Sequence, residues 1–202
     1  VTSEQLEKFR DLLQKVRAAG LSIHDFHISN SAGLVGWDCP ECTLVRPGIM
    51  LYGGMPGEKY RDQLDLKPGM HLRTRIAQLK RVPAGTGVSY GHRFHADRET
   101  LLAALPIGYA DGYNRLLTGR GEVLVGGCRV PVVGTVCMDW TMIDVTDVPQ
   151  VAVGDPVTLL GKVGGQSITA DELAEQVGSI SYEVFCRIGS RVPRRYLGDI
   201  DG

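Results

Sequence analysis

Apolar residues recur at helical spacing from the start of the chain. Leu6, Phe9, Leu12, Leu13 and Val16 form one stripe on a 3.6-residue repeat. Thr2 and Gln5 fit a capping box ahead of that stripe, and Gly20 suits the left-handed position that ends a helix. The run 23–29 then predicts a strand, leading into Asn30-Ser31-Ala32-Gly33, a turn or helix start. After a cysteine-bearing loop, residues 43–53 predict a second short element closed by glycines. Helix, strand, loop and strand in this order follow the grammar of α/β units.

The pattern changes over residues 54–69, which are polar and rich in Gly and Pro and read as an inter-domain linker. Beyond them, short strand-like runs alternate with turn signals at 72–82, 100–107, 122–125, 130–136, 141–145 and 156–160. Strands so short and so closely spaced predict a compact β barrel or a sandwich. Thr169 and Glu172 make a second capping box, opening a helix that stops at Gly178. A further helical turn is predicted over 182–188. There are no internal repeats and no low-complexity segments.

Composition narrows the function classes. The formal net charge is −1, and no basic patch of the kind that binds nucleic acid stands out. No apolar run is long enough to span a bilayer. No basic-then-apolar leader opens the chain, so the expected location is the cytoplasm. The five cysteines are Cys39, Cys42, Cys128, Cys137 and Cys186. An odd, scattered set is not a disulfide framework, and a reducing compartment is its simplest setting. Cys39-Pro40-Glu41-Cys42 is a C-x-x-C without the second ligand pair that a structural zinc site needs, and reads as two thiols in a surface loop. The histidines form no paired metal pattern, so no metal is expected.

Four stretches carry candidate chemistry. Gly108-Tyr109-Ala110-Asp111-Gly112 sets a tyrosine between small residues after an apolar run. Flanking glycines let the backbone approach a ligand, and a phenol presented this way can act as a general acid or base. The plainer alternative is a strand followed by a Gly-Asp turn. Asn30-Ser31 and Arg46-Pro47-Gly48-Ile49 each fall at a strand end. A serine hydroxyl and N–H groups beside glycine can hold a phosphate, with Arg46 as a permanent cation; a capping Asn-Ser and a surface arginine would explain the same residues. Cys137-Met138-Asp139 ends another strand, where a carboxylate and a backbone N–H can position a substrate. Cys137 itself reads as a small packed residue.

Taken in order, these motifs resemble the C-terminal part of alanine racemase, a pyridoxal-phosphate enzyme. The similarity covers nearly all of the chain. It runs through His27-Ile28-Ser29-Asn30-Ser31-Ala32-Gly33, Val45-Arg46-Pro47-Gly48-Ile49 with Tyr52-Gly53, and Val88-Ser89-Tyr90-Gly91. It continues through Gly108-Tyr109-Ala110-Asp111-Gly112-Tyr113, Gly134-Thr135-Val136-Cys137-Met138-Asp139 and Gly154-Asp155. It ends with Ile180-Ser181-Tyr182-Glu183 and Arg191-Val192-Pro193-Arg194.

The resemblance implies a role for each matching residue. Tyr109 matches the tyrosine that moves the substrate's α-proton. Arg46 matches the arginine facing the cofactor's ring nitrogen. Ser31, Gly48, Ile49 and Tyr182 match the phosphate-binding set, with Asn30 next to it. Cys137, Met138 and Asp139 match the substrate-side loop. The implied fold is α+β and mainly β. Residues 1–66 would be the last units of a TIM-like α/β barrel, and residues 67–202 a C-terminal β-domain. The implied activity is L- to D-alanine interconversion for bacterial peptidoglycan, with an amino acid as substrate and no nucleic acid or membrane partner. Family enzymes are homodimers in which the tyrosine and the Met loop come from the partner subunit.

The segment carrying the Schiff-base lysine and the first barrel strands has no counterpart here, and none of Lys8, Lys15, Lys59, Lys67, Lys80 or Lys162 lies in a matching motif. The expectation is that this polypeptide alone is inactive and needs a complementing N-terminal barrel half. Two alternatives remain open: a non-catalytic β module for dimerisation or protein binding, and a related racemase, for serine for instance.

Overall fold

The computed structural model describes residues 2–198. They form two compact units that divide between Gly69 and Met70.

The first unit opens with α1 (Thr2–Ala18). Its helical spacing is as the sequence predicts, but only Leu13 is buried, and Leu12 stays exposed. Gly20 takes a positive φ of 69°, and the Gly20 and Leu21 N–H groups donate to the Arg17 and Val16 carbonyls, closing the helix as a left-handed glycine does. The strand expected over 23–29 is absent. Residues 23–29 run beside 43–46, joined by hydrogen bonds from Thr43 and Leu44 to Phe26 and from Arg46 to Ser29, with one parallel bridge at Asn30 and Arg46. A parallel strand takes its ladder from neighbours on both sides, and here one sparse neighbour gives a bridge without a sheet. The 43–53 element is likewise not a strand; it ends in a short 3₁₀ turn, Ile49–Tyr52.

Residues 54–69 are not a free linker. A 3₁₀ turn, Glu58–Gln63, buries Tyr60, which is 4% exposed and whose hydroxyl donates to the Ala32 carbonyl at 3.1 Å. That contact fastens the segment beside α2 (Ser31–Gly36). Leu21, Ile23, Leu34, Leu44, Val45 and Leu51 remain exposed in this unit.

Among the described residues the second unit is a β-domain of ten strands. In chain order they are β1 (Leu72–Arg75), β2 (Gln78–Val82), β3 (Gly87–Val88), β4 (Phe94–His95), β5 (Thr100–Leu105), β6 (Glu122–Val125), β7 (Cys128–Val133), β8 (Thr141–Asp144), β9 (Pro156–Val163) and β10 (Gln166–Ile168). The main sheet is antiparallel and runs β1-β9-β6-β7-β8-β5-β2, with β10 added on β9. Its two ends are one piece of chain. Ile76 and Ala77 connect β1 to β2, and their N–H groups donate in turn to Asp155 and Ala104 carbonyls at opposite ends of the sheet. The run 72–82, which reads as one strand, is therefore bent into two, and the bend brings the sheet round on itself. The sequence left a barrel and a sandwich open; the structure is one antiparallel path whose two end strands are consecutive in the chain and are not paired with each other.

Two hairpins are set by local chemistry. Gly126-Gly127 joins β6 to β7 and Gly164-Gly165 joins β9 to β10, all four glycines at positive φ. Such two-residue turns match the twist of the strands they join. The interior is filled by Ile76, Ala103, Leu105, Val123, Val125, Ile143, Val157 and Leu159, each at most 1% exposed. Each buried Leu, Ile or Val contributes about 1.5–3 kcal/mol of transfer free energy. β5 is apolar on both faces. Ala103 and Leu105 face the main core, while Leu102 joins Val82, Val88, Ala96 and Val133 in a second cluster with the partly buried Phe94 of β4 packed against it.

α3 (Ala170–Val177) and α4 (Ser181–Arg187) complete the unit. Thr169 caps α3 by accepting from the Glu172 N–H at 3.0 Å, and Gly178 ends it. Glu172 does not return the bond expected in a capping box. Its carboxylate takes Arg129 of β7 at 2.7 and 2.9 Å instead, tying helix to sheet. No helix among the described residues is long and apolar enough to cross a membrane.

Candidate active site

The expected site residues fall into two groups, one in each unit. In the first unit, Asn30 caps α2, its Oδ1 accepting from the Gly33 N–H at 2.9 Å. Ser31 follows, 2% exposed. Its Oγ is buried and has no hydrogen-bond partner. A buried hydroxyl without a partner costs about 1–3 kcal/mol, so its persistence asks for an explanation. A polar group bound beside it would supply one. The Cβ position of Gly48 has nothing within 4 Å, leaving room at the next candidate. Ile49 is 4% exposed and anchors the turn that carries it.

Arg46 lies beside Asn30 through the parallel bridge. Its guanidinium is held by the His27 ring Nδ1 and by the Ile28 carbonyl at 3.3 Å. Histidine 27 was not singled out from the sequence, although it stands in one of the matching motifs. Two partners on one stretch of chain fix the direction in which the cation points.

In the second unit, Tyr109, Cys137, Met138 and Asp139 come together. The Tyr109 N–H donates to the Cys137 carbonyl at 3.0 Å and the Ala110 N–H to the Met138 carbonyl at 3.1 Å. Gly108 makes this possible. A Cβ there would stand 2.2 Å from the Cys137 oxygen and 2.4 Å from the Met138 oxygen. The turn is closed by Asp111, which accepts from the Gly108 N–H at 2.9 Å, and by Gly112 at φ 101°. Tyr109 is 40% exposed and Met138 53%, so both residues lie at the surface of the paired loops. Tyr182 is also exposed, on α4, whose last residues pack against Gly112: a Cβ on that glycine would meet the Arg187 oxygen at 2.5 Å.

Two supports were missed in the sequence. Arg191 joins both loops, with Nη2 2.6 Å from Asp139 and Nε 3.4 Å from Asp111. The Asp139 hydrogen bond and then the Asp111 charge hold its guanidinium more firmly protonated than usual. Ser89 adopts φ 63° and ψ −175°, a region otherwise left to glycine. Its hydroxyl donates to the Thr135 carbonyl at 2.8 Å and lies 3.3 Å from the Cys137 Sγ. Thr135 Oγ1 returns a bond to the Tyr90 carbonyl at 2.7 Å. The strained residue therefore braces the approach to Cys137. Its signal was the Val88-Ser89-Tyr90-Gly91 motif, which carried no assigned role. Cys137 is half-buried, consistent with a packed residue. Among the described residues no group of three or more His, Cys, Asp or Glu side chains is placed to hold a metal ion.

Comparison with known proteins matches this arrangement along the whole chain. Residues 69–196 match the family described as alanine racemase, C-terminal domain, and residues 1–56 the alanine racemase, N-terminal domain. An alanine racemase of Geobacter sulfurreducens is 53% identical over 194 residues, covering 96% of this chain and 51% of that protein. One of Halothermothrix orenii is 46% identical over 201 residues, covering 100% and 53%. Among solved structures, the alanine racemase of Bacillus anthracis with bound L-Ala-P superposes with a TM-score of 0.89 at 38% identity, covering 98% of this chain and 51% of that one. The chain thus spans about half the length of the curated relatives it matches.

Proposed function

The chain belongs to the alanine racemase family, and from that premise we propose that it is the tyrosine-bearing half of an enzyme interconverting L- and D-alanine. The observation that carries the reading is the paired Tyr109 and Met138 loops, locked by two backbone hydrogen bonds and bridged by Arg191.

Racemisation removes the α-proton from one face and returns one to the other, so a base is needed on each side. Tyr109 is the proton carrier on one face, set on a turn whose backbone is bonded to the Met138 loop. The proton acceptor is the phenolate, and a phenol supplies it near neutral pH only where a nearby cation favours the anion. The Met138 backbone would orient the substrate carboxylate, and Asp139, neutralised by Arg191, keeps that loop in place. The second base belongs to residues outside this chain.

The family is pyridoxal-phosphate-dependent. When bound, that group withdraws electrons from the α-carbon and makes its proton removable. The unpartnered Ser31 hydroxyl and the open space at Gly48 fit its phosphate, with Asn30 and Ile49 completing the set in this unit. Arg46 would face its ring nitrogen. A guanidinium has only N–H donors and stays charged, so it can donate to an unprotonated ring nitrogen but cannot accept from a protonated one, and leaves that nitrogen a weaker electron sink than a carboxylate would. Arg46 thereby restrains side reactions.

We further place the enzyme in the cytoplasm as a homodimer supplying D-alanine for peptidoglycan. The 202 residues by themselves turn over no alanine. The test mixes this polypeptide with a racemase N-terminal half and measures D-alanine and D-serine. D-alanine formation only in the mixture, lost with Tyr109→Phe, supports the reading. D-serine formation in its place assigns a serine racemase. No conversion and no cofactor binding in a folded mixture leaves a β module. Ser31→Ala would raise the pyridoxal-phosphate concentration needed for half-saturation by about tenfold, the value of one hydrogen bond to a charged group.

A further inference from the structure

Cys39-Pro40-Glu41-Cys42 takes no part in the site described above, yet its geometry is specific. The Cys42 N–H donates to the Cys39 carbonyl at 3.0 Å, closing a four-residue turn. Such a turn keeps its end Cα atoms within about 7 Å, the span a disulfide bridges. Pro40, at the second position, pre-sets the backbone for it. The two sulfur atoms stand 3.0 Å apart. Both thiols are half-buried and free.

The turn is also moored. Glu41 accepts the Cys39 S–H at 3.5 Å and with its other oxygen takes Arg10 of α1 at 2.8 Å. Burial, together with hydrogen bonds to Cys42 and Glu41, pushes the Cys39 thiol up to about 11. The Glu41 carboxylate that accepts the Cys39 S–H disfavours a thiolate at Cys39, so Cys39 is assigned the resolving role and Cys42 the attack. Cys39 lines a cleft with Ser29, Asn30 and Trp37, so a covalent change there bears on the wall beside the α2 cap.

We propose that Cys39 and Cys42 are a dithiol that exchanges with small-molecule disulfides and closes to an intramolecular disulfide. Cys42, having lost its proton to solvent, attacks one sulfur of the small disulfide and expels a thiolate, leaving a mixed disulfide. Cys39 passes its proton to that thiolate and attacks the Cys42 sulfur. The second small thiolate leaves and takes up a proton from solvent. Two protein thiols are oxidised to one disulfide, and one small disulfide is reduced to two thiols.

The test incubates the full chain with glutathione disulfide at rising concentration, quenches with acid, alkylates, and maps peptides by mass. The expected product is a peptide spanning 39–42 that has lost two hydrogen atoms and carries no glutathione. Half-closure should need at least tenfold less oxidant than half-modification of the exposed Cys128. Cys39→Ser should instead leave a lasting glutathione adduct on Cys42. Two results would overturn the proposal: Cys39 and Cys42 staying reduced while Cys128 and Cys186 are modified, or a persistent adduct at either residue of the unaltered pair. Both are read on the unaltered chain, so they stand whether or not the serine variant folds.

Discussion

Gly108→Ala tests whether the Tyr109 turn and the Met138 loop act as one body. The added methyl would meet the Cys137 and Met138 carbonyl oxygens at 2.2 and 2.4 Å. Both obstacles are backbone, so no side chain can swing aside. Gly108 sits at φ −154° and ψ −159°, extended backbone open to any residue, so the penalty is steric and not conformational. The loops must part, and the bonds from the Tyr109 and Ala110 N–H groups, 3.0 and 3.1 Å long, are lost. Each lost bond costs about 1 kcal/mol, and forced overpacking adds about 1–3 kcal/mol. A total of about 3–5 kcal/mol at a typical urea slope of about 2 kcal/mol per M lowers the unfolding midpoint by about 1.5–2.5 M. In a Trp37→Phe background Trp140 is the sole indole, and its carbonyl accepts from the Cys137 N–H, so its fluorescence reports on this loop. Gly48→Ala is the control: nothing stands within 4 Å of its Cβ position, and the change should stay within about 0.5 kcal/mol. Equal midpoints for the two variants would refute the locked-loop argument.

Three more outcomes follow from particular groups. Tyr113 is buried with an unpartnered hydroxyl, and burial pushes its phenol well above the ordinary range; Tyr113→Phe should stabilise the β-domain by about 1 kcal/mol, seen as a higher urea midpoint. Arg129 joins Glu122 and Glu172 at 2.7 Å, with side chains 28–40% exposed; Arg129→Met should cost about 1–2 kcal/mol at low salt, and the loss should shrink in molar salt as screening weakens what remains of the network. Cys39 is held protonated up to about 11, and a raised thiol pKa favours the neutral form in the folded chain. Its alkylation rate should therefore climb about two pH units later than that of an ordinary thiol, as site-resolved mass spectrometry after brief labelling would show; the delay should vanish in urea.

Local signals were read well where they act locally. The Thr169 cap and the Gly178 stop of α3 need only the residues of one turn. The β-runs of the second unit were visible because each buries at least one face. Where two segments compete for one partner, local reading failed. Glu172 serves Arg129 and not its own helix start, and residues 23–29 lack the flanking strands that would make them a ladder. Tyr60 looked like part of a linker because polar neighbours surround the one residue that is buried.

Order and type of residue alone determined the family motifs, the glycine turns and the apolar runs, since these depend on backbone freedom and on partitioning from water. Tertiary structure decided what no spacing encodes. It bent 72–82 into the two ends of one sheet, and it set Gly108 against two carbonyl oxygens from a segment almost thirty residues away. It chose Arg191 to bridge Asp111 and Asp139, left Ser31 without a partner, and brought the Cys39 and Cys42 sulfurs face to face. Those contacts join groups distant in the chain or fix side-chain directions, and only packing in three dimensions selects among the many partners each group could have had.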